Sequence, residues 1–185
     1  QHKQTEYLEI EKKYLDYKIL SDTANGELTG RSKIAFERYV QGVYFDLVLL
    51  EANKRFVKMT NKRYSLVRRY EAGNLRERAG LDIDVLDTNT GKIRGVKSLS
   101  GGESFQASLA LALGLADVVQ QFSGGVKLET MFIDEGFGSL DAEALDKALQ
   151  TLGNLTMGNR LVGIISHVEE LKNKIDKKIV IKREA

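Results

Sequence analysis

The stretch Ser100-Gly101-Gly102-Glu103, followed by an apolar run from Ala107 to Val119, constrains this chain more than any other part of it. Serine and glutamate three residues apart have the spacing of a capping box, which predicts a helix start with its first backbone N–H groups pointing outward. Capping a buried helix asks nothing of Gly101 or Gly102. Each glycine in a first turn costs roughly 1 kcal/mol in helix propensity against alanine, and close approach of a ligand to bare backbone is the usual compensation. A phosphate would meet both the orphan donors and the positive end of the helix dipole.

A chain of 185 residues is long enough for one domain with a core and short for two. Lys and Arg number 28 against 26 Asp and Glu, so no global field draws it to nucleic acid or membrane, and any such contact is local. With no cysteine there are neither disulfides nor thiolate metal sites. Neither a signal peptide nor an apolar span of bilayer length is visible. The expected location is cytoplasmic, nucleoid-associated, without a membrane partner.

Residues 1–24 are polar and charged, with Tyr7, Ile10, Tyr14 and Tyr17 on one helical face. Two readings stand side by side: a terminal helix packed on the domain, and the root of a longer coiled coil. Asn25-Gly26 and Gly30 break the chain, and the domain proper is expected over 25–185. From Ser32 to about Met59, Phe36, Val40, Val43, Leu47, Leu50 and Val57 repeat with helical spacing, with Gly42 marking a tight crossing. Tyr64–Tyr70 and Leu81–Leu86 are β-prone and predict a small antiparallel sheet. Asp82 and Asp84 share one strand face, where a solvated side is expected over a metal site. Arg68, Arg69, Arg76 and Arg78, with Lys62 and Arg63, form the densest basic cluster; a solvated sheet face is expected over a DNA track. Thr88–Gly91 reads as a turn.

The helix after Ser104 is apolar on nearly every side and is expected to be deeply packed. A strand, Leu128–Ile133, then runs straight into Asp134-Glu135, at the kind of carboxyl end where ligands collect in open parallel sheets. Two such acids suit nucleotide hydrolysis, Asp134 holding Mg²⁺ and Glu135 orienting and deprotonating water; the plain alternative is a polar strand exit. Gly136–Leu140 lead to Asp141, well placed to cap a helix bearing Ala144, Leu145, Ala148, Leu149 and Leu152, a role compatible with a site role. Gly153 is expected to close that helix. Leu161–Ile165 reads as another buried strand with Ser166-His167 at its exit, where a neutral imidazole could donate to a terminal phosphate or serve only as a structural donor. A short helix through Leu171 and a closing strand over Ile175–Ile181 complete the pattern.

Leu99-Ser-Gly-Gly-Glu, the strand with Asp134-Glu135, Ser139-Leu140-Asp141 and Ser166-His167 occur in the order found in the second half of ATP-binding-cassette ATPases. By that resemblance they are the signature motif, Walker B, D-loop and switch histidine. The wording of Ser98–Phe105, Ala107–Asp117, Phe132–Asp141 and Gly163–Val168 resembles the SbcC family of bacterial double-strand-break repair ATPases, within the structural-maintenance-of-chromosomes (SMC) superfamily. Transporter cassettes usually carry proline after the Walker B acids, where this chain has Gly136-Phe137-Gly138.

The resemblance implies an α/β fold: the C-terminal half of a cassette-type ATPase head, with helical and small antiparallel elements first and then a largely parallel sheet with flanking helices. No Gly-x-x-x-x-Gly-Lys-Ser/Thr occurs, so the phosphate-cradling Walker A loop belongs, by resemblance, to a separate N-terminal lobe beyond a coiled coil that this chain leaves near residue 1. Further implied are ATP and Mg²⁺, a second copy of the head, a partner nuclease of the SbcD type, and double-stranded DNA. In that scheme Glu135 and His167 are catalytic, Asp134 holds the metal, and Ser100, Gly101, Gly102, Ser139, Leu140 and Asp141 contact ATP. The alternative is a condensin-like head that tethers DNA without a nuclease.

Overall fold

The computed structural model describes residues 2–25, 36–69, 81–124, 128–156 and 160–181. The expected breaks at Gly26 and Gly30, the helix start at Ser32, the strand end at Tyr70, and Arg76 and Arg78 lie outside them. Five helices and five strands follow in the order α1 (His2–Asn25), α2 (Phe36–Met59), β1 (Tyr64–Arg69), β2 (Asp82–Asp87), β3 (Lys92–Gly95), α3 (Gly101–Phe122), β4 (Thr130–Asp134), α4 (Ala142–Thr156), β5 (Leu161–Ile165) and α5 (Glu169–Lys174). Short 3₁₀ turns precede α3 at Val96–Ser98 and follow β4 at Phe137–Ser139. Among the described residues no helix is long and apolar enough to cross a membrane.

Helix α3 is the centre of the core. Ala107, Ala110 and Leu113 are buried along it, facing Leu49, Ala52 and Phe56 of α2. The two helices touch through their backbones, because a Cβ added to Gly114 would lie 2.7 Å from both the Val48 carbonyl oxygen and the Ala52 nitrogen. That is the tight crossing. At Gly42, by contrast, a Cβ would collide with the Arg68 guanidinium reaching over from β1. Not all of α3 is covered: Leu115, Val119 and Phe122 are exposed, with Phe122 edge-on to Tyr44 at 5.4 Å.

Strands β1, β2 and β3 form an antiparallel sheet in that order. Asn61 and Lys62 turn the chain from α2 into β1 in the left-handed region (φ 52° and 63°). The free edge of β1 is covered by Asn53 of α2, whose amide donates to the Leu66 carbonyl and accepts from its N–H, both at 2.8 Å. The turn at Thr88–Gly91 is a hairpin into β3, a strand the sequence pattern did not announce. Among the described residues of the basic cluster, Arg68 pairs with Asp46 at 3.2 Å, Arg69 with Asp84, and Arg63 with Asp87 at 3.6 Å. Asp84 thus faces a guanidinium, while Asp82 is exposed.

Strands β4 and β5 pair in parallel through the α4 crossover. Leu145, Ala148, Leu152 and Leu155 of α4 point to the core at helical spacing. Among the described residues the sheet is covered on one side only. Met131, Ile133, Val162 and Ile164 pack inward, whereas Phe132 (70% exposed), Leu161 and Ile165 face outward. The expected buried strand is therefore half-buried, and the expected largely parallel sheet has two parallel strands among the described residues, separate from the antiparallel three.

Two further expectations fail. Helix α4 does not stop at Gly153 but continues to Thr156, drawn on by burial of Leu155. Residues 175–181 form no strand, and Ile179 and Ile181 are more than nine-tenths exposed; the segment makes no ladder with β4 or β5, so nothing among the described residues draws these two isoleucines out of solvent. The Tyr7, Ile10, Tyr14 and Tyr17 stripe of α1 is also exposed, against the reading in which it packs on the domain.

Overpacking a core typically costs about 1–3 kcal/mol, and at Gly114 both obstructing atoms are backbone. Gly114→Val is expected to destabilise by about 3 kcal/mol or more, read as a shift of the urea midpoint. Gly153→Ala meets nothing within 4 Å and should stabilise α4 by up to about 1 kcal/mol.

Candidate functional site

The start of α3 is a complete capping box. Ser100 is extended (φ −64°, ψ 166°); its hydroxyl accepts from the Glu103 N–H at 3.3 Å, and its own N–H donates to Glu103 Oε2 at 2.9 Å. The Ser104 N–H already reaches the Ser100 carbonyl at 2.8 Å. That leaves the N–H groups of Gly101 and Gly102 as the helix donors with no acceptor among the described residues. They stand at the positive end of a helix of 22 residues.

Burial works against ionisation of Glu103, but the hydrogen bonds from the Ser100 backbone and side chain, with Tyr64 and Arg63 adding, outweigh it and hold the carboxyl below its usual range. Tyr64 moves the other way: burial first, then its interaction with Glu103, raises its hydroxyl above 10.0. The cap is therefore a charged acceptor at neutral pH, tied to the antiparallel sheet behind it.

In front of the cap lies a cleft of about 570 Å³, lined by Ser100, Gly101, Gly102, Ser139 and Asp141 together with Arg63, Tyr64 and Lys147. Gly102 has a second reason for lacking a side chain, since a Cβ there would come within 3.1 Å of the Ser139 carbonyl and 3.5 Å of Leu140. So Gly102 admits the 137–140 turn as well as opening the helix start. Asp141 caps α4, its Oδ1 accepting from the Ala144 N–H at 2.8 Å, while remaining exposed on the cleft. The Ser139 hydroxyl donates to the Gly136 carbonyl at 3.0 Å.

The acids and the histidine stand elsewhere. Asp134 ends β4 with an exposed carboxylate that makes no ion pair among the described residues. Glu135 adopts a left-handed backbone (φ 60°), and its N–H donates to the Ile165 carbonyl at 2.9 Å, extending the ladder by one residue. A non-glycine residue there costs about 1 kcal/mol or more. The twist brings Glu135 Oε2 within 2.9 Å of His167 Nδ1. Gly136 follows (φ 95°), and a Cβ on it would sit 2.3 Å from the Phe105 ring, which packs on the buried Phe137 at 4.8 Å. Glu135, Asp134 and His167 do not line the cleft of the α3 start.

The predicted residues thus separate into two groups: Ser100, Gly101, Gly102, Ser139, Leu140 and Asp141 around the helix start, and Asp134, Glu135 and His167 at the sheet end. Tyr64 and Lys147 on the cleft were not anticipated. They come from β1 and α4, and no sequence spacing connects them to the glycine pair.

Removing the cap acceptor with Ser100→Ala is expected to cost about 1 kcal/mol, measured by denaturant unfolding. The Glu103 carboxyl lies lower folded than unfolded, so its contribution is fully present above its unfolded value near ~4.3 and is lost as pH falls through the folded one. Glu103→Gln should remove that part of the acid dependence.

Residues 71–154 match the family model described as SbcC/RAD50-like, Walker B motif. The chain is 54% identical over 166 residues to the SbcC component of nuclease SbcCD from Vibrio cholerae, covering 90% of this chain and 16% of that protein. To the same component from Staphylococcus epidermidis it is 55% identical over 143 residues, covering 77% and 14%. The chain spans about a sixth of the length of the curated relatives it matches. A solved structure described under ATP-driven dimerization and DNA stimulated activation of SMC ATPases superposes with a TM-score of 0.57 at 17% identity, over 80% of this chain and 83% of that one. The Smc head domain of Pyrococcus furiosus with an extended coiled coil, bound to the C-terminal domain of ScpA, gives 0.53 at 17%, over 94% and 38%. The fold is accordingly that of part of an SMC head. With half its residues identical to the SbcC components of SbcCD nucleases and the Walker B match across α3, β4 and α4, the chain belongs to the SbcC family as its Walker B region.

Proposed function

We propose that this chain is the C-terminal half of an ATPase head that binds and hydrolyses ATP between two heads, and that the cycle controls a partner nuclease acting on double-stranded DNA ends and hairpins. The observation that carries the reading is the division of the site: two glycine amides on an open cleft with no acceptor among the described residues, and Glu135 and His167 outside it. Groups serving one nucleotide of one copy would converge on one cleft. Here each copy offers a phosphate-gripping turn in one place and hydrolytic residues in another, which suits two composite sites between two heads.

In each composite site, Asp134, Glu135 and His167 serve the nucleotide held by their own head's Walker A-bearing lobe. An exposed carboxylate at a strand end, free of ion pairs among the described residues, fits a metal held jointly with phosphates and water. Mg²⁺ bound there would neutralise phosphate charge. Glu135, fixed by its bond to Ile165, orients and deprotonates the attacking water, and His167 at 2.9 Å holds the carboxylate and senses the terminal phosphate. Ser100, Gly101 and Gly102 of the opposite head donate to that phosphate, with Ser139, Leu140 and Asp141 packed beside them. ATP then joins the heads, and hydrolysis lets them part. The outward apolar face of β4 and β5 supports a covering lobe, and the exposed stripe of α1 supports a coiled-coil root over residues 1–24. A cytoplasmic, nucleoid-associated protein with an SbcD-type nuclease partner and no membrane contact fits this scheme, and copurification of that nuclease separates it from a DNA-tethering head.

Two substitutions test the roles in the full-length protein. Glu135→Gln is expected to cut turnover by about 100-fold or more while trapping an ATP-bound dimer; unchanged turnover would refute the base. Ser100→Arg should leave ATP binding to one head intact and abolish ATP-dependent association, read by sedimentation. Normal association in that variant would refute the shared site.

A further inference from the structure

Two successive glycines give the turn that faces the cleft unusual backbone freedom, yet donors that must meet a phosphate act well only when held in place. The structure places one side chain where it does this from behind. Arg94 of β3 donates from Nη1 to the carbonyl and the hydroxyl of Ser98, each at 3.0 Å, and from Nη2 to the Tyr64 hydroxyl at 3.1 Å. Its guanidinium also lies over the Tyr64 ring, 5.3 Å from the centroid. The Ser98 hydroxyl donates onward to the Gly95 carbonyl at 2.7 Å, and Leu99 is buried. On the far side of the glycines, the Glu103 carboxylate holds the Ser100 N–H and interacts with the same Tyr64. Tyr64 itself is fixed, 2% exposed and stacked on Phe56.

We propose that Arg94 is a positioning residue for the phosphate-binding turn: by clamping Ser98 to Tyr64 it sets the angle at which the Gly101 and Gly102 amides enter the cleft. This rests on the shared-site reading above. Arg94 does not line the cleft, so it acts through the turn and not as a phosphate ligand. The fork matters more than the charge, because a lysine at this position would present one donor group where three acceptors are now served.

The test uses the full-length protein and three readouts: ATP affinity of one head, ATP-dependent head association, and urea midpoint. Arg94→Lys and Arg94→Ala are both expected to weaken association by about tenfold or more, with single-head ATP affinity within about twofold of the parent. Tyr64→Phe keeps the buried ring, removes the hydroxyl that accepts from Arg94 and donates to Glu103, and should weaken association in the same direction. A loss of association that survives correction for the urea midpoint, with ATP affinity intact, is the signature of positioning. Wild-type association in Arg94→Lys would assign the effect to charge and overturn the proposal, as would wild-type association in both Arg94→Ala and Tyr64→Phe. Ser100→Arg runs alongside: if it is defective while the Arg94 variants are normal, this inference alone fails, and if it too associates normally, the shared-site reading fails and takes this inference with it.

Discussion

Helix α3 approaches α2 to backbone contact because residue 114 has no side chain, and most of the structure follows from that approach. With α3 seated, its first turn stands beside the antiparallel sheet that grows out of the end of α2. One turn further, Phe105 reaches beneath Gly136 at the exit of β4. A single helix thus touches both functional groups, its start carrying the glycine amides and the next residues supporting the loop of Glu135. Packing of this kind transmits displacement because it has no slack.

The polar parts of the site depend on that apolar frame. A left-handed Glu135 persists because the ladder bond to Ile165 and the ring of Phe105 under the next residue leave it little alternative. About 1 kcal/mol or more of backbone strain at this carboxylate is kept only because its surroundings hold it. At the other group the cost is different: Gly101 and Gly102 weaken the helix start, and the capping box, Arg94 and Tyr64 restore its definition. Gly102 also makes room for Ser139 and Leu140, so the start of α3 and the turn after β4 form one surface.

Much of this was legible in the sequence, where chemistry is local. The capping box, the Asp141 cap, the strand ending in Asp134 and the strand exit at His167 each follow from residues a few positions apart. What depends on distant partners was not legible. The sequence pattern points to Gly42 for the tight crossing, but the crossing lies at Gly114, since only the packed structure tells which glycine meets backbone and which meets an arginine. Gly153 looks like a helix stop because its lack of a side chain is local, whereas burial of Leu155 is not. The run over 175–181 has the composition of a strand but joins neither β4 nor β5, and Ile179 and Ile181 stay exposed. Tyr64, Arg94 and Lys147 come to the start of α3 from three elements, so no motif could have grouped them.

The central claim is that the amides at the start of α3 grip a phosphate held by another copy while Glu135 and His167 serve their own. The most direct measurement is a structure of the full-length protein with ATP bound and hydrolysis blocked. The account predicts the Gly101 and Gly102 nitrogens at about 3 Å from a terminal phosphate whose Asp134 and Glu135 belong to the opposite head. A phosphate contacted by both groups of one chain, or a helix start turned away from any nucleotide, would contradict it.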